Sequence, residues 1–369
     1  MKRIINVLFV IGLMLLAGCQ KQEKVIQTSE WYGEPGGITY GAQGIFQGTN
    51  ELNFLDSQSG TKGLICSDIS CNHGKDCSAV FSDVLQMKAA VEDDHLLLVT
   101  DYQADKIGDL YLYEAALDGS DRKEIAYLGN MQNSFQYLFL EDYIVFDFWN
   151  SYDENLKPLE KDMAGIYVYN KLTGEGKAIW SIEGWNARIP GMTYKDGVVY
   201  FFSLHIDGEV NEALEQEELW SYMESHAKNQ FCKLTLQDGS VEVIDENAGN
   251  FYGAVCMDDK IFCNYDFKLY VYDMETKERT LFLEEDYRPK GNTLDDKVIF
   301  LKDSEYYVYS EEKGMELLGR LENCYVTMVF PNVIYAMLSE PETYESEYVY
   351  FETKKFLKGN FDTMQYFEE

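Results

Sequence analysis

A strand-rich module recurs along this chain, and that recurrence limits the available folds more than any other feature. Between Asp295 and Leu321 the sequence runs DDKVIFLKDSEYYVYSEEKGMELLGRL. An acidic pair predicts a turn, and Val298 to Leu301 predict a buried strand. Tyr306 to Tyr309 predict a second strand, and EEKG turns the chain into a third at Met315 to Leu318. Val, Ile, Phe and Tyr fit a pleated, half-buried surface, whereas Asp, Lys and Gly mark the strand ends.

The upstream copy starts at Asp258, and Ile261 to Val298 is 37 positions; the downstream copy starts at Pro331, and Val298 to Val333 is 35. More decorated copies begin at Asp93, Glu141 and Lys195, and a first copy runs from Gly44 to Cys66. A period of this size built from strands alone predicts an all-β chain, specifically a β-propeller of four-stranded antiparallel blades. Seven blades are expected. The fourth carries an insertion over 207–229, predicted helical because Ala213 to Ala227 lacks Gly and Pro. Leu214, Leu219, Tyr222, Met223 and His226 recur there near a helical period, either to pack on the rim or to dock a partner.

Hydrophobic residues make up 46% of the chain and aromatics 15%, enough for a large core and against disorder. The formal net charge of -33 repels phosphate backbones, so nucleic acid is not an expected partner.

At the amino terminus Lys2 and Arg3 precede an apolar run from Ile4 to Leu16, too short to span a bilayer and suited to a signal peptide over 1–18. Leu16-Ala17-Gly18-Cys19 resembles the lipobox of bacterial lipoproteins. That resemblance implies that Cys19 becomes the first mature residue and carries the lipid, with two acyl chains giving stable anchorage. Residues 19–36 then read as a lipidated tether and 37–369 as the propeller, held to the lipid bilayer on the extracytoplasmic face of the cell membrane.

Cys66, Cys71, His73 and Cys77 fall within twelve residues, inside a loop read as 64–80. Three thiols and an imidazole form a ligand set that structural zinc accepts, although C-x4-C-x-H-x3-C is not a standard finger spacing. An exported chain also lives where disulfides form, so a pair among the three cysteines is the alternative. Either arrangement fixes a loop rather than performing catalysis.

The chain also resembles a group of Gram-positive bacterial lipoproteins that combine a lipobox, a propeller likened to low-density-lipoprotein-receptor repeats, and a Cys-x4-Cys-x-His-x4-Cys-x-Ala segment closing the first blade. The match rests on Cys19, Cys66, Cys71, His73, Cys77 and Ala79. Only three residues separate His73 from Cys77, no Pro lies between Cys66 and Cys71, and the Tyr-Trp-Thr-Asp tetrads of the receptor propellers are absent. The resemblance implies a fold and an anchor, and no activity.

Cys232, Cys256, Cys263 and Cys324 read as buried small side chains. Cys256 and Cys263 would face each other only across a four-residue turn. His95 and His205 read as structural, and the paired carboxylates Asp93-Asp94, Asp258-Asp259 and Asp295-Asp296 repeat with the blades as turn formers. No nucleophile elbow, zinc-protease, Walker, dinucleotide-fingerprint or EF-hand motif occurs. Long connections after Trp149, from Asp207 and from Ser339 are expected on one face together with the cysteine loop, and long loops on a rigid frame are where binding resides. Trp149 and Trp220 are the candidate ligand contacts there, while Trp180 reads as core. The expected function is binding of a ligand or a membrane or cell-surface protein. The alternatives are a hydrolase of glycans or peptides using Asp147, Asp153, Glu154 and Asp207, and a passive scaffold of a membrane complex.

Overall fold

The computed structural model describes residues 30–368 except 83, 103–107, 154–156, 209–215, 295, 342 and 344. The signal segment and Cys19 therefore lie outside the described residues, as does Glu154.

Strands arise where the sequence places its alternating apolar runs. Four separate four-stranded antiparallel sheets occupy 84–130, 251–283, 288–320 and 324–366, each a simple up-and-down meander. The repeat that opened the sequence reading is the third of these: Lys297–Lys302, Glu305–Ser310 and Gly314–Arg320 follow Arg288–Leu294. The remaining strands form one twelve-stranded sheet. Its continuity depends on Glu175–Lys195, which pairs through Glu175 to Gly184 with Pro158–Asn170 and from Trp185 onward with Val198–Ile206. At 21 residues this is about twice the usual upper length of a strand, and it acts as two strands end to end.

Trp31–Glu34 adds to this sheet between Tyr137–Phe139 and Ile38–Gly41. Trp31 is buried in this strand, so the folded body already includes residues 31–34, within the stretch 19–36 expected as a tether. The strand was missed because its partner, Tyr137–Phe139, lies about a hundred residues away and no repeat signals the pairing.

Apolar clusters join each sheet to the next. Val255, Phe262 and Val271 meet Val298 and Phe300; Ile299 and Tyr306 meet Val326, Ile334 and Phe351; and Tyr335 and Tyr350 meet Tyr40, Ile45 and Leu55. That last cluster brings the carboxyl-terminal sheet onto the first strands of the chain. No β ladder of several pairs joins them among the described residues; the contact holds one parallel bridge, Thr61 to Glu368, and hydrogen bonds from Tyr335 Oη to Gly41 O (3.1 Å) and Ser57 Oγ (3.0 Å).

An α-helix, α1 (Gln216–His226), lies between Val198–Ile206 and Ala227–Thr235. Leu219, Tyr222 and Met223 are half-buried on it and Glu218, Ser221 and Ser225 are exposed, the pattern of a helix resting on a rim. The side chain of Trp220 lies outside those described.

The turn between Phe251–Met257 and Lys260–Tyr265 takes two residues, with Met257 paired to Lys260. Cys256 thus faces Ile261 and Cys263 faces Ala254, the diagonal arrangement that a short turn imposes. Both thiols are free and buried, and burial pushes Cys256 up to about 12.

Candidate functional sites: a cysteine/histidine loop and an axial cavity

The cysteine/histidine loop connects Thr61–Leu64 to Val84–Glu92. Cys66, Cys71, His73 and Cys77 converge there: one donor atom from each lies within 4.8 Å of all the others. The three cysteines are free. Thiolates bound tetrahedrally to zinc at about 2.3 Å stand roughly 3.8 Å apart, whereas a disulfide brings two sulfurs to about 2.05 Å and leaves the others unused. The observed spread is that of a donor set gathered around a common point, and this group could hold a metal ion.

The local backbone explains the convergence. His73 sits in the left-handed region at φ 51, which reverses the chain between Cys71 and Cys77. Its N–H donates to Cys71 Sγ at 3.4 Å, and its Nδ1 lies 3.5 Å from Cys77 Sγ. Asp68 accepts from Ser70 through both the backbone N–H (2.8 Å) and Oγ (2.7 Å), which lowers its pKa and closes the turn before Cys71. Hydrogen bonding to the Asp68 backbone lowers the Cys66 thiol, while burial pushes Cys77 up to about 11. A metal would reverse that second effect, because a coordinating thiol is deprotonated.

The loop is bolted to the turn 117–122, which links the third and fourth strands of the 84–130 sheet, rather than to the long loops with which the sequence grouped it. Asp118 accepts from Ser67 Oγ, and its carbonyl accepts from Ser78 Oγ at 2.6 Å. The Arg122 guanidinium lies 3.5 Å from the centroid of the Phe81 ring, donates to the carbonyls of Ser78 and Val80, and turns back through Nε to Gly119 O (2.9 Å). Beneath it Cys77, Ala79 and Val80 form a small buried cluster with Leu64 and Ile65.

The second site was not legible as a unit. A cavity of about 720 Å³ opens where the first strands of several sheets converge. Its wall includes Tyr32 and Glu34, Tyr137, Asp147 and Trp149, Arg188 and Met192, Phe251 and Met328. Of the two tryptophans singled out from sequence, Trp149 lines this cavity, half-buried, and its indole N–H has no hydrogen-bond partner.

Charges crowd the same place. Asp147 is 2% exposed, and its Oδ1 accepts from the backbone N–H groups of Phe135 (2.8 Å) and Gln136 (2.7 Å); burial outweighs those bonds and pushes its pKa up to about 6. Lys88, on Val84–Glu92, is likewise 2% exposed, and its ammonium makes no hydrogen bond. Desolvation pulls it down to about 8, against the attraction of Glu34 and Asp147. Burial raises Glu34 and lowers Lys290. A sequence signal existed: Lys88 interrupts the inner strand VLQMKAAVE, where an apolar residue would be expected.

Of the four carboxylates proposed for hydrolysis, Asp147 alone lines the cavity among the described residues. Asp153 accepts the Lys157 N–H in its own loop at 2.9 Å, and Asp207 is exposed with its N–H donated to His226 O. Trp180 packs in the core edge-on to Phe201, His95 and His205 stand on strands, and burial lowers His205.

No protein-family model matches the sequence, and no curated protein does. Solved structures do. The chain is similar to the β-propeller domain of the trilobed protease from Pyrococcus furiosus, described as having an open velcro topology, at 12% identity over 90% of this chain and 98% of that one, with a TM-score of 0.50. It is similar to the acylaminoacyl peptidase of Pyrococcus horikoshii at 10% identity over 88% of this chain, TM-score 0.50, and covers 51% of that enzyme, about half its length. TolB from Acinetobacter baumannii superposes less closely, with 12% identity, 88% and 76% of the two chains covered, and a TM-score of 0.40. At such identities the likeness concerns fold alone: this is an all-β, repeat-built chain of β-propeller architecture.

Proposed function

We propose that the chain is a lipid-anchored, extracytoplasmic seven-bladed β-propeller that binds a small ligand in its axial cavity. The pairing pattern supports this count. The four separate sheets supply four blades, and the twelve-stranded sheet divides at Gly184 and Trp185 into further four-stranded units, with Trp31–Glu34 as an extra strand. Helix α1 then stands as an insertion between the second and third strands of the fourth blade. The anchor rests on the lipobox-like Leu16-Ala17-Gly18-Cys19 and on the short apolar run before it. Lipid at Cys19 would hold the disc to the outer face of the cell membrane, where a diffusing ligand or a neighbouring membrane protein can reach it.

The observation that carries the binding role is the cavity itself. It falls within the roughly 300–1,000 Å³ usual for ligand sites and combines aromatic walls with a few convergent polar groups. The Cys66, Cys71, His73 and Cys77 group is proposed to hold structural zinc, which would stiffen a loop too short to build a core of its own.

Two measurements test the reading. Metabolic labelling with an alkyne fatty acid should tag the wild-type chain and not Cys19→Ala, which should move from the membrane to the soluble fraction. A thermal-shift screen of the purified chain from residue 20 onward against sugars, amino acids, short peptides and organic acids should yield ligands whose effect is lost in Trp149→Ala. Ligands that stabilise wild type and Trp149→Ala equally would place binding elsewhere, and labelling that persists in Cys19→Ala would overturn the anchor.

A further inference from the structure

Cations that lack partners gather around the axial cavity, although the chain as a whole carries 31 basic residues against 64 acidic ones. Many basic side chains find carboxylates: Lys171 bonds Glu92, Lys268 bonds Glu284, Arg279 bonds Asp245, and Arg288, whose charge acts on Lys290, bonds Asp286. Three others around the cavity do not. Arg188 is exposed on the wall and, among the described residues, makes no ion pair or hydrogen bond through its side chain. Lys88 is buried, and its ammonium has no hydrogen-bond partner among the described residues. Lys290 stands close enough to Glu34 for each to feel the other's charge, and forms no ion pair.

Three carboxylates oppose these cations, and none is free to receive a cationic guest; one of them, Asp286, acts on Lys290 and is already bonded by Arg288. Asp147 is held by two backbone N–H groups and faces Lys88, and Glu34 lies between Lys88 and Lys290. Each acid is thus answered from within the fold, and the uncompensated charge is positive. Lys88 packs directly behind the wall. A Cβ on Gly33 would lie 3.4 Å from Lys88 Cδ and 2.8 Å from Tyr137 Cβ, and the Lys88 ammonium stands 5.9 Å from the centroid of the Tyr137 ring. Gly33 and Tyr137 are both cavity wall. The unpaired Trp149 N–H adds a neutral donor. Buried donors without acceptors are costly unless something accepts from them.

Resting on the reading of the cavity as the binding site, we propose that its ligand is a small anion, a carboxylate or phosphate attached to an apolar or aromatic body. Arg188 meets the charge directly, Lys88 adds its field from behind the wall, and Trp149 donates to the anion or to an adjacent acceptor. The global charge of the protein would slow the approach of such a ligand, so recognition depends on these few side chains rather than on long-range steering.

The test uses calorimetric titration of the chain from residue 20 onward with benzoate, benzamide, benzylamine, phenyl phosphate and inorganic phosphate. Benzoate or phenyl phosphate should bind and benzamide and benzylamine should not. Carboxylate binding alone identifies one source of the anion, phosphate binding alone the other, and either supports the proposal. Affinity should fall about tenfold or more in Arg188→Gln, the size expected for losing a charge-assisted hydrogen bond, and by a smaller factor of about threefold in Lys88→Met, which loses only its field behind the wall. Should Lys88→Met fail to fold, Arg188→Gln on the exposed wall still decides. Binding of benzylamine in preference to benzoate would overturn the anion and leave the cavity reading intact. Anion binding unchanged in both cation variants would overturn the assigned residues. If none of the five probes binds while the broader screen finds ligands lost in Trp149→Ala, the anion proposal fails alone; if that screen is also silent, the cavity reading fails with it.

Discussion

The cysteine/histidine loop and the axial cavity handle polar groups in opposite ways. The loop is a short excursion with little apolar material, and it gathers its polar atoms toward one another: three thiols and an imidazole face a common point while Asp118 and Arg122 bind its edges. Around the cavity, apolar strands hold Lys88 and Asp147 away from water and leave Lys88 and the Trp149 N–H unanswered. Convergent polar groups in a loop without its own core are the proposed means of stiffening it, and desolvated and unsatisfied ones inside a rigid frame the proposed means of holding a guest. The difference is open to attack from both sides.

The largest effect is expected at the loop. Cys77 is the buried member of the donor set, so Cys77→Ser should abolish zinc retention, from one ion per chain to none by elemental analysis, and destabilise the chain by about 3 kcal/mol or more. Chelation of the wild type should do the same and expose 66–81 to protease. A wild-type protein that carries no metal after zinc supplementation and loses no stability in Cys77→Ser would make the convergence a packing accident.

At the axis the corresponding experiment is a pH profile. The Asp147 carboxyl has a native pKa of about 6 against an ordinary 3.8, so the folded state holds its proton more tightly than the unfolded state. Its stabilising contribution is complete below about pH 4 and is lost as pH rises through 6. Two units of difference correspond to roughly 3 kcal/mol at most. Asp147→Asn keeps an oxygen for the Phe135 and Gln136 N–H groups and cannot titrate. Compared by urea denaturation, it should gain on the wild type by up to that amount between pH 4 and pH 7; parallel profiles would mean that this carboxylate is not desolvated.

The two regions also differ in how far the sequence discloses them. The four loop ligands lie within twelve residues, so spacing alone brings them together on paper, and the strand repeat is visible because Val, Ile, Phe and Tyr alternate within each copy. The cavity draws on residues from Tyr32 to Met328, and what unites them is the inward turn of first strands that are far apart in sequence. Trp149 was reachable as an aromatic beside a long connection. Arg188 was not, because it sits in a 21-residue strand whose change of partner at Gly184 and Trp185 no local pattern announces. Loop placement failed for a related reason: connectivity grouped the cysteine loop with the long insertions, while its side chains grip the turn 117–122.

A smaller effect returns to that grip. Arg122→Gln removes the charge stacked on Phe81 and shortens the reach to the Ser78 and Val80 carbonyls. Arg122 is exposed, so a loss of about 1 kcal/mol is expected, a charge-assisted hydrogen bond discounted for solvent screening. Because the described contacts of Arg122 are to the Ser78, Val80 and Gly119 carbonyls and the Phe81 ring, zinc content should remain one per chain; loss of the metal in this variant would show that the clamp, and not the donor set, shapes the loop.

The smallest effect on stability is expected where the effect on binding is largest. The Trp149 indole N–H already lacks a partner, so Trp149→Phe deletes an unsatisfied buried donor along with part of an aromatic surface. Removal of the donor stabilises and loss of ring area destabilises, each by about 1–2 kcal/mol, so the unfolding midpoint should hardly move. Binding of an anionic probe should nonetheless weaken, because the guest loses a neutral donor on the wall that has no internal acceptor. A midpoint that drops by several degrees while affinity holds would invert the comparison: Trp149 would then belong to the frame, as the cysteine loop does, and the guest would rest on Arg188 and Lys88 alone.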